Sequence, residues 1–263
     1  KADFVVGFGG YPSQPTMLAA LLLRKRAVIH DQNAVLGRAN RLLANRVSHV
    51  ATSFPDVKGA PADATVLTGN PVRSEIVAIG AEAYNAPDDS GIINLLIFGG
   101  SQGARIFSDV IPASVAALPD GLRQRVNVVQ QARPEDTDRV QAAYADAEQQ
   151  AEIASFFDDM PERLRAAHLV IARSGASTVT ELAAAGRPSI LIPYAAALDD
   201  HQTANSAALV AAGGAWLLPE VDLTAEIMAV LLTEILDAPA SLQVAAIAAR
   251  TTARDNAAEA LAD

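Results

Sequence analysis

The chain has 263 residues, of which 51% are hydrophobic and 19% charged, with a formal net charge of -10 and no cysteine. Such a composition suits a globular chain with a sizeable core, as one large domain or two medium ones. It excludes disulfides and cysteine-based metal sites, agrees with a reducing compartment, and argues against a general nucleic-acid binder, which needs Lys and Arg clustered over a broad face.

In chain order, short apolar runs alternate with longer Ala-rich ones. The opening "KADFVVGFGG" does not read as a signal peptide but as the tail of one element entering a strand, so further sequence is expected before Lys1. Patterning predicts strands at Asp3–Val6, Ala27–Ile29, Val47–Ala51 and Thr65–Leu67, and helices at Pro15–Leu23 and Gly37–Ala44. "AEAYNAPDDSG", Ala81–Gly91, is a polar break of the kind that joins domains. Beyond it the spacing predicts strands at Ile93–Phe98, Val126–Val129, Ala151–Phe156, Leu169–Ala172, Ser189–Pro193 and Ala215–Leu218. Helices are expected at Ala104–Ala117, Pro134–Glu148, Pro161–Ala167, Thr178–Ala185, His201–Ala212 and Ala225–Leu236, and a single long one at Ser241–Ala262. This βα repetition implies parallel sheets covered by helices, with ligands at the carboxyl ends of strands. No run of ~18 apolar residues is present to span a bilayer.

Unusual loops fall at those strand ends. "VVGFGGYPSQP", Val5–Pro15, bares backbone N–H groups of the kind that face an anion, yet Pro12 stands where a dinucleotide fingerprint needs glycine, and the Gly-Lys-Ser/Thr of a Walker loop occurs nowhere. "FGGSQGAR", Phe98–Arg105, has two readings, a phosphate cradle with Ser101 beside a helix N-terminus or a tight turn with Ser101 as a cap. In "ARSGASTVTELAAAG", Ala172–Gly186, Thr178 and Glu181 have the spacing of a capping box, and the same Glu181 could instead accept bonds from vicinal sugar hydroxyls. "LDDHQTAN", Leu198–Asn205, opens a helix with Asp199 or Asp200 as its cap and is too sparse for a metal site. His30, Asp31, Gln32 and Asn33 crowd one strand end. In "LLLRKR", Leu21, Leu22 and Leu23 precede Arg24, Lys25 and Arg26, which reads either as a face for an anionic bilayer or as a helix packing its leucines inward and ending on cations.

Taken together, "GFGGYPSQP", "HDQNAVLGRANRLL", "TGNPVR", "FGGSQGA", "ARSGASTVTELAAAGRPSILIPY" and "DDHQTAN" resemble the MurG family of glycosyltransferase family 28, bacterial enzymes that move N-acetylglucosamine from UDP-N-acetylglucosamine onto lipid I to form lipid II in peptidoglycan synthesis. The resemblance implies an α/β fold of GT-B type, two Rossmann-like parallel-sheet domains facing across a cleft, with the first incomplete here. It divides the chain into 1–75 on the acceptor and membrane side, 76–240 binding the donor, and a C-terminal helix, 241–263, crossing back. By the same resemblance, Asn33 and Gln202 would contact the sugar, Arg73 and Ser101 the diphosphate, and Glu181 the ribose. Ala176, Ser177 and Thr178 would line the donor site, and Phe157 would stand where backbone reads the uracil edge. Gly7, Gly9, Gly10 and Tyr11 would lie near the acceptor pyrophosphate.

The family typically carries Glu where this chain has Asp31, and its usual candidate base lies in an opening segment that the chain does not show. Asp31 and His30 are therefore the catalytic candidates. The resemblance implies no cofactor or metal, no nucleic acid, and a peripheral place on the cytoplasmic face of the inner membrane. Other readings are a nucleotide-sugar binding fragment without turnover, or another UDP-sugar enzyme of GT-B fold such as a 2-epimerase. A dinucleotide oxidoreductase is disfavoured by the glycine spacing.

Overall fold

The computed structural model describes residues 2–88, 90–100 and 103–263, so Ser101 lies outside the described residues. The first part of the chain runs β1 (Phe4–Gly7), α1 (Gly10–Leu22), β2 (Arg26–Asp31), α2 (Arg38–Leu43), β3 (His49–Thr52), β4 (Thr65–Leu67) and α3 (Ser74–Ile79). The second part begins with β5 (Ile93–Phe98), α4 (Arg105–Ala116), α5 (Asp120–Arg123), β6 (Val126–Gln131), α6 (Thr137–Asp146) and β7 (Ala151–Ala154). It continues with α7 (Met160–Ala166), β8 (Leu169–Ala172), α8 (Ala176–Ala185), β9 (Ser189–Leu191), α9 (His201–Ala211) and β10 (Ala215–Leu217). Helices α10 (Ala225–Leu236), α11 (Pro239–Thr251) and α12 (Ala257–Ala262) complete it.

Both sheets are parallel throughout. The first keeps sequence order, β1-β2-β3-β4, and the second is ordered β10-β9-β8-β5-β6-β7. Numbered from its own first strand, the second sheet has the doubly wound order 3-2-1-4-5-6, whose direction reverses between β5 and β8. Loops leaving those two strands diverge, and a crevice opens at their carboxyl ends.

Strand alternation assigns the core. Leu95, Ile97, Leu169 and Ile171 turn to one face of the second sheet, where Phe107, Ile111, Met228 and Leu232 cover them. Leu96, Phe98, Val170 and Ala172 turn to the other face and join a cluster that continues through Val179, Leu182, Ile76 and Ile79 to Ile29 and Val50 of the first sheet. One apolar core thus crosses the boundary between the sheets. Among the described residues no single helix is long and apolar enough to cross a membrane.

Three expectations change. Helix α1 starts at Gly10, five residues before the expected Pro15, because two prolines in its first turns obscured an otherwise continuous helix. The capping box is not formed: α8 begins at Ala176 behind Gly175, so Thr178 is already inside the helix and cannot cap it. The long final helix is two. Arg250 pairs with Asp255 at 2.8 Å across the break and also donates to the Ala184 carbonyl at 2.6 Å. Helix α11 packs on α8, whereas Ala257, at the start of α12, is buried against Gly69 beyond β4. A straight helix could not reach both partners, and alanine-rich patterning carries no mark of the turn between them.

Gly69 has a φ of +91°, and a Cβ there would stand 2.9 Å from that of Ala257 and 3.0 Å from that of Arg254. Gly69→Ala should therefore cost about 2 kcal/mol from strain and crowding, read as a fall in Tm of about 5 °C in a calorimetric scan. An unchanged Tm would mean that α12 does not need this close approach.

Candidate active site

A cleft of about 880 Å³ opens at the carboxyl ends of strands from both sheets. Gln32 and Asn33 enter it from the loop after β2, Arg73 from the connection before α3, and Gly99 and Gly100 from the loop after β5. Gln131 and Arg133 come from the end of β6, Phe156 and Phe157 from beyond β7, and Gln202 from α9. The first turn of α8 contributes Ala176, Ser177 and Thr178, and Glu181 follows one turn later.

Two helix N-termini face this space, those of α4 and α8. Among the described residues neither has a side-chain cap, so their first N–H groups keep their positive ends turned toward the cleft. At α4 the approach is made by bare backbone: a Cβ on Gly99 would collide with Gly103 and Ala104. Gln131 fixes that loop by accepting from Gly99 N–H at 3.1 Å and donating to the Ser155 carbonyl at 3.1 Å, which also sets the turn carrying Phe156 and Phe157. Arg73, Arg105, Arg133 and Arg173 add positive charge around the same space. The set suits an anion of two or more charges.

Glu181 pairs with Arg73 at 3.2 Å. Burial raises its carboxyl above the ordinary range, and the charge and hydrogen bond of Arg73 oppose that shift. The result is a half-desolvated acceptor beside a cation. Phe157 is buried under the Arg163 guanidinium, 4.0 Å from its ring centre, while Phe156 is 67% exposed and offers the cleft a flat apolar face.

The two catalytic candidates are not in the cleft lining. Asp31 is buried, and its oxygens accept from Asn33 N–H at 3.0 Å, Gly37 N–H at 2.7 Å and Asn40 Nδ2 at 2.9 Å. Those bonds fold the loop after β2, so Asp31 organises Asn33 rather than presenting a free carboxylate to a reactant. His30 is fully buried, with Nε2 3.0 Å from the Gly69 carbonyl oxygen. It faces the seam and the Phe8 ring, 5.8 Å away, and its Nδ1 is buried with no partner among the described residues. Gly7 closes β1, Gly9 and Gly10 take positive φ at the start of α1, and Tyr11 is exposed. This turn lies apart from the cleft lining, on the same carboxyl-end edge of the first sheet.

Several residues carry weight that the sequence did not reveal. Asn205 is fully buried on α9 and holds the loop after β2 to the second sheet: its Oδ1 accepts from Ala34 N–H at 2.8 Å, and its Nδ2 donates to Asn33 Oδ1 at 3.2 Å and to the Ser174 carbonyl at 3.1 Å. It and Arg173 stand within motifs already singled out, but nothing in the spacing gave their partners. Glu220 lies in no motif and reaches the site only through the fold.

Asp31→Ala should strand three loop donors and cost about 3 kcal/mol in urea unfolding, with Asp31→Asn losing less because one oxygen remains. Full retention of stability by the alanine variant would remove the loop-organising role.

The chain matches the glycosyltransferase family 28 C-terminal domain over residues 94–261 and the N-terminal domain of that family over residues 1–52. It is 52% identical over 262 residues to a UDP-N-acetylglucosamine, N-acetylmuramyl-(pentapeptide) pyrophosphoryl-undecaprenol N-acetylglucosamine transferase of Rhodospirillum centenum, covering 98% of this chain and 69% of that one. The crystal structure of MurG from Acinetobacter baumannii superposes with a TM-score of 0.85 at 33% identity, over 99% of this chain and 73% of that one. A putative UDP-N-acetylglucosamine 2-epimerase from Listeria monocytogenes, at 16% identity and a TM-score of 0.67 over 98% of this chain and 72% of that one, shares the fold alone. With both of its parts matched and the expected GT-B architecture present, the chain belongs to glycosyltransferase family 28.

Proposed function

We propose that the chain transfers N-acetylglucosamine, with inversion, from UDP-N-acetylglucosamine to lipid I, the undecaprenyl-linked muramyl-pentapeptide, to form lipid II in peptidoglycan synthesis. The observation that carries this reading is the convergence on one cleft of Asn33 and Arg73 from the first part of the chain with Glu181 and Gln202 from the second, beside the N-termini of α4 and α8. Arg73 and the α4 terminus meet the donor diphosphate, together with Ser101 of the neighbouring loop. Glu181 accepts from the ribose hydroxyls, Asn33 and Gln202 bond the sugar, and the backbone of Ala176, Ser177 and Thr178 lines the donor. Backbone at Phe157 reads the uracil edge. The turn of Gly7, Gly9, Gly10 and Tyr11 faces the acceptor pyrophosphate.

In the transfer, the acceptor hydroxyl oxygen forms a bond to the anomeric carbon as the bond to the diphosphate oxygen breaks, and UDP departs with the electron pair. Charge grows on the diphosphate during that step, and fixed N–H groups and arginines stabilise it without reorganising. The hydroxyl proton passes to a base other than His30 or Asp31, whose polar atoms are committed to the protein or buried.

The acceptor is membrane-linked, so the same reading seats the protein on the cytoplasmic face of the bacterial inner membrane. At the end of α1, Leu22 is 84% and Leu23 72% exposed, with Arg24 and Arg26 exposed and Lys25 half-buried beside them. Leu21 instead packs against the core and is withdrawn from that face. The leucines would enter the interface while the cations meet anionic headgroups, each worth about 1 kcal/mol.

Calorimetric titration of this chain should show UDP-N-acetylglucosamine binding in preference to UDP-glucose and NAD, and Arg73→Ala should weaken it by about tenfold or more. No binding by the folded chain would refute the donor assignment. Ribose hydroxyls favour an ionised Glu181, so UDP affinity should fall as pH drops from neutrality toward its raised pKa, and Glu181→Gln should lose that component while keeping any due to the diphosphate itself. An identical pH profile in both proteins would refute the ribose role. Replacing Leu22, Leu23, Arg24 and Arg26 by Glu should abolish co-sedimentation with anionic vesicles, and unchanged sedimentation would remove the membrane face.

A further inference from the structure

We infer that the ion pair of Arg173 and Glu220 is a positioning device that sets the amide of Gln202 with its N–H groups toward the transferred sugar, an inference that rests on the reading of the cleft given above. Arg173, just beyond β8, is buried, and Glu220 lies beyond β10, yet they meet at 3.0 Å. Between them they grip the turn that follows β9. Arg173 Nη1 donates to the Ile192 carbonyl at 3.2 Å and the Pro193 carbonyl at 3.3 Å, and its guanidinium lies 5.2 Å from the Tyr194 ring centre. Glu220 Oε2 accepts from Ala195 N–H at 2.7 Å. Four consecutive residues, Ile192 to Ala195, are thus tied to one pair of charges.

The turn so fixed presents Tyr194 N–H to Gln202 Oε1 at 2.9 Å. A backbone N–H only donates, so the amide must turn its oxygen there, and its two N–H bonds face the cleft. Gln202 thus turns its donors, rather than its oxygen, toward the cleft. A sugar oxygen within reach is bound, while an epimer that moves its oxygen elsewhere leaves those donors unpaired, which is where hydrogen-bonded sites gain their discrimination. Loosening the turn frees the amide to rotate and blurs the selection. The carboxyl of Glu220 is held below its ordinary range: burial opposes ionisation, but the hydrogen bonds from Arg173 and Ala195 N–H and the charge of Arg173 outweigh it.

The test compares UDP-N-acetylglucosamine with its C4 epimer, UDP-N-acetylgalactosamine, by calorimetry, with UDP alone as the control for a folded nucleotide site. In Glu220→Gln an amide nitrogen, itself a donor, replaces one of the two oxygens and meets either Arg173 or Ala195 N–H, both donors. Its preference for the first sugar should fall by about tenfold, as should that of Gln202→Ala, while UDP affinity changes by less than about twofold. Combining the two substitutions should lower the preference no further, because both act through one amide. Additive losses, a wild-type preference in Glu220→Gln, or a parallel fall in UDP affinity would each overturn the positioning role. A wild-type chain with no preference would overturn the functional reading and this inference with it.

Discussion

The cleft depends on the side-chain amide of Asn205. One residue of α9 satisfies a backbone N–H and a side-chain oxygen of the loop after β2, and the carbonyl that ends the strand region before α8. The Ala34 N–H and the Ser174 carbonyl are buried at the meeting of two sheets, where water cannot replace a lost partner cheaply. Asn33 is consequently placed by two systems at once, the Asp31 carboxylate within its own loop and Asn205 across the seam. The "TGNPVR" segment repeats the pattern: Asn70 donates to Thr180 at 3.2 Å and Arg73 to Glu181 at 3.2 Å, both on α8. Polar contacts fix the geometry of a boundary whose adhesion comes from the apolar cluster beneath.

The electrostatics of the cleft follow one logic. Positive ends of α4 and α8 and four arginines surround the space, but Arg73 is paired with Glu181, Arg105 with Asp109 at 3.6 Å and Arg173 with Glu220. Among the described residues Arg133 has no such carboxylate, and its Nε is buried without a partner. The carboxylates balance three of the arginines, while the backbone dipoles and Arg133 keep the cleft attractive to an anion. In a protein of net charge -10, this is a local reversal of sign.

Most of the architecture was legible because its signals were local. Strands such as Leu169–Ala172 and Ile93–Phe98 are apolar runs bounded by breaks, and their spacing alone implied parallel sheets. The motif loops were legible because glycines and clustered polar groups at strand ends are unusual. Roles that depend on distant partners were not: Asp31 looked like a reactive carboxylate until its three donors were known, and Glu220 meets Arg173 across 47 residues. The same holds for the leucines of α1, since helical rotation alone decides that Leu21 faces inward and Leu22 outward. The break between α11 and α12 arises where two halves of one alanine-rich segment dock on different surfaces, a tertiary cause with no local residue to announce it.

That break alters how the molecule is strung together. The backbone passes from the first sheet to the second along the segment around Gly69 to Arg73, and it returns beside the same glycine through the turn between α11 and α12. The two sheets are therefore joined at one edge by two neighbouring lengths of backbone rather than one. Two connections close together hold one sheet against sliding and twisting past the other more firmly than a single connection would, in addition to the apolar core they share.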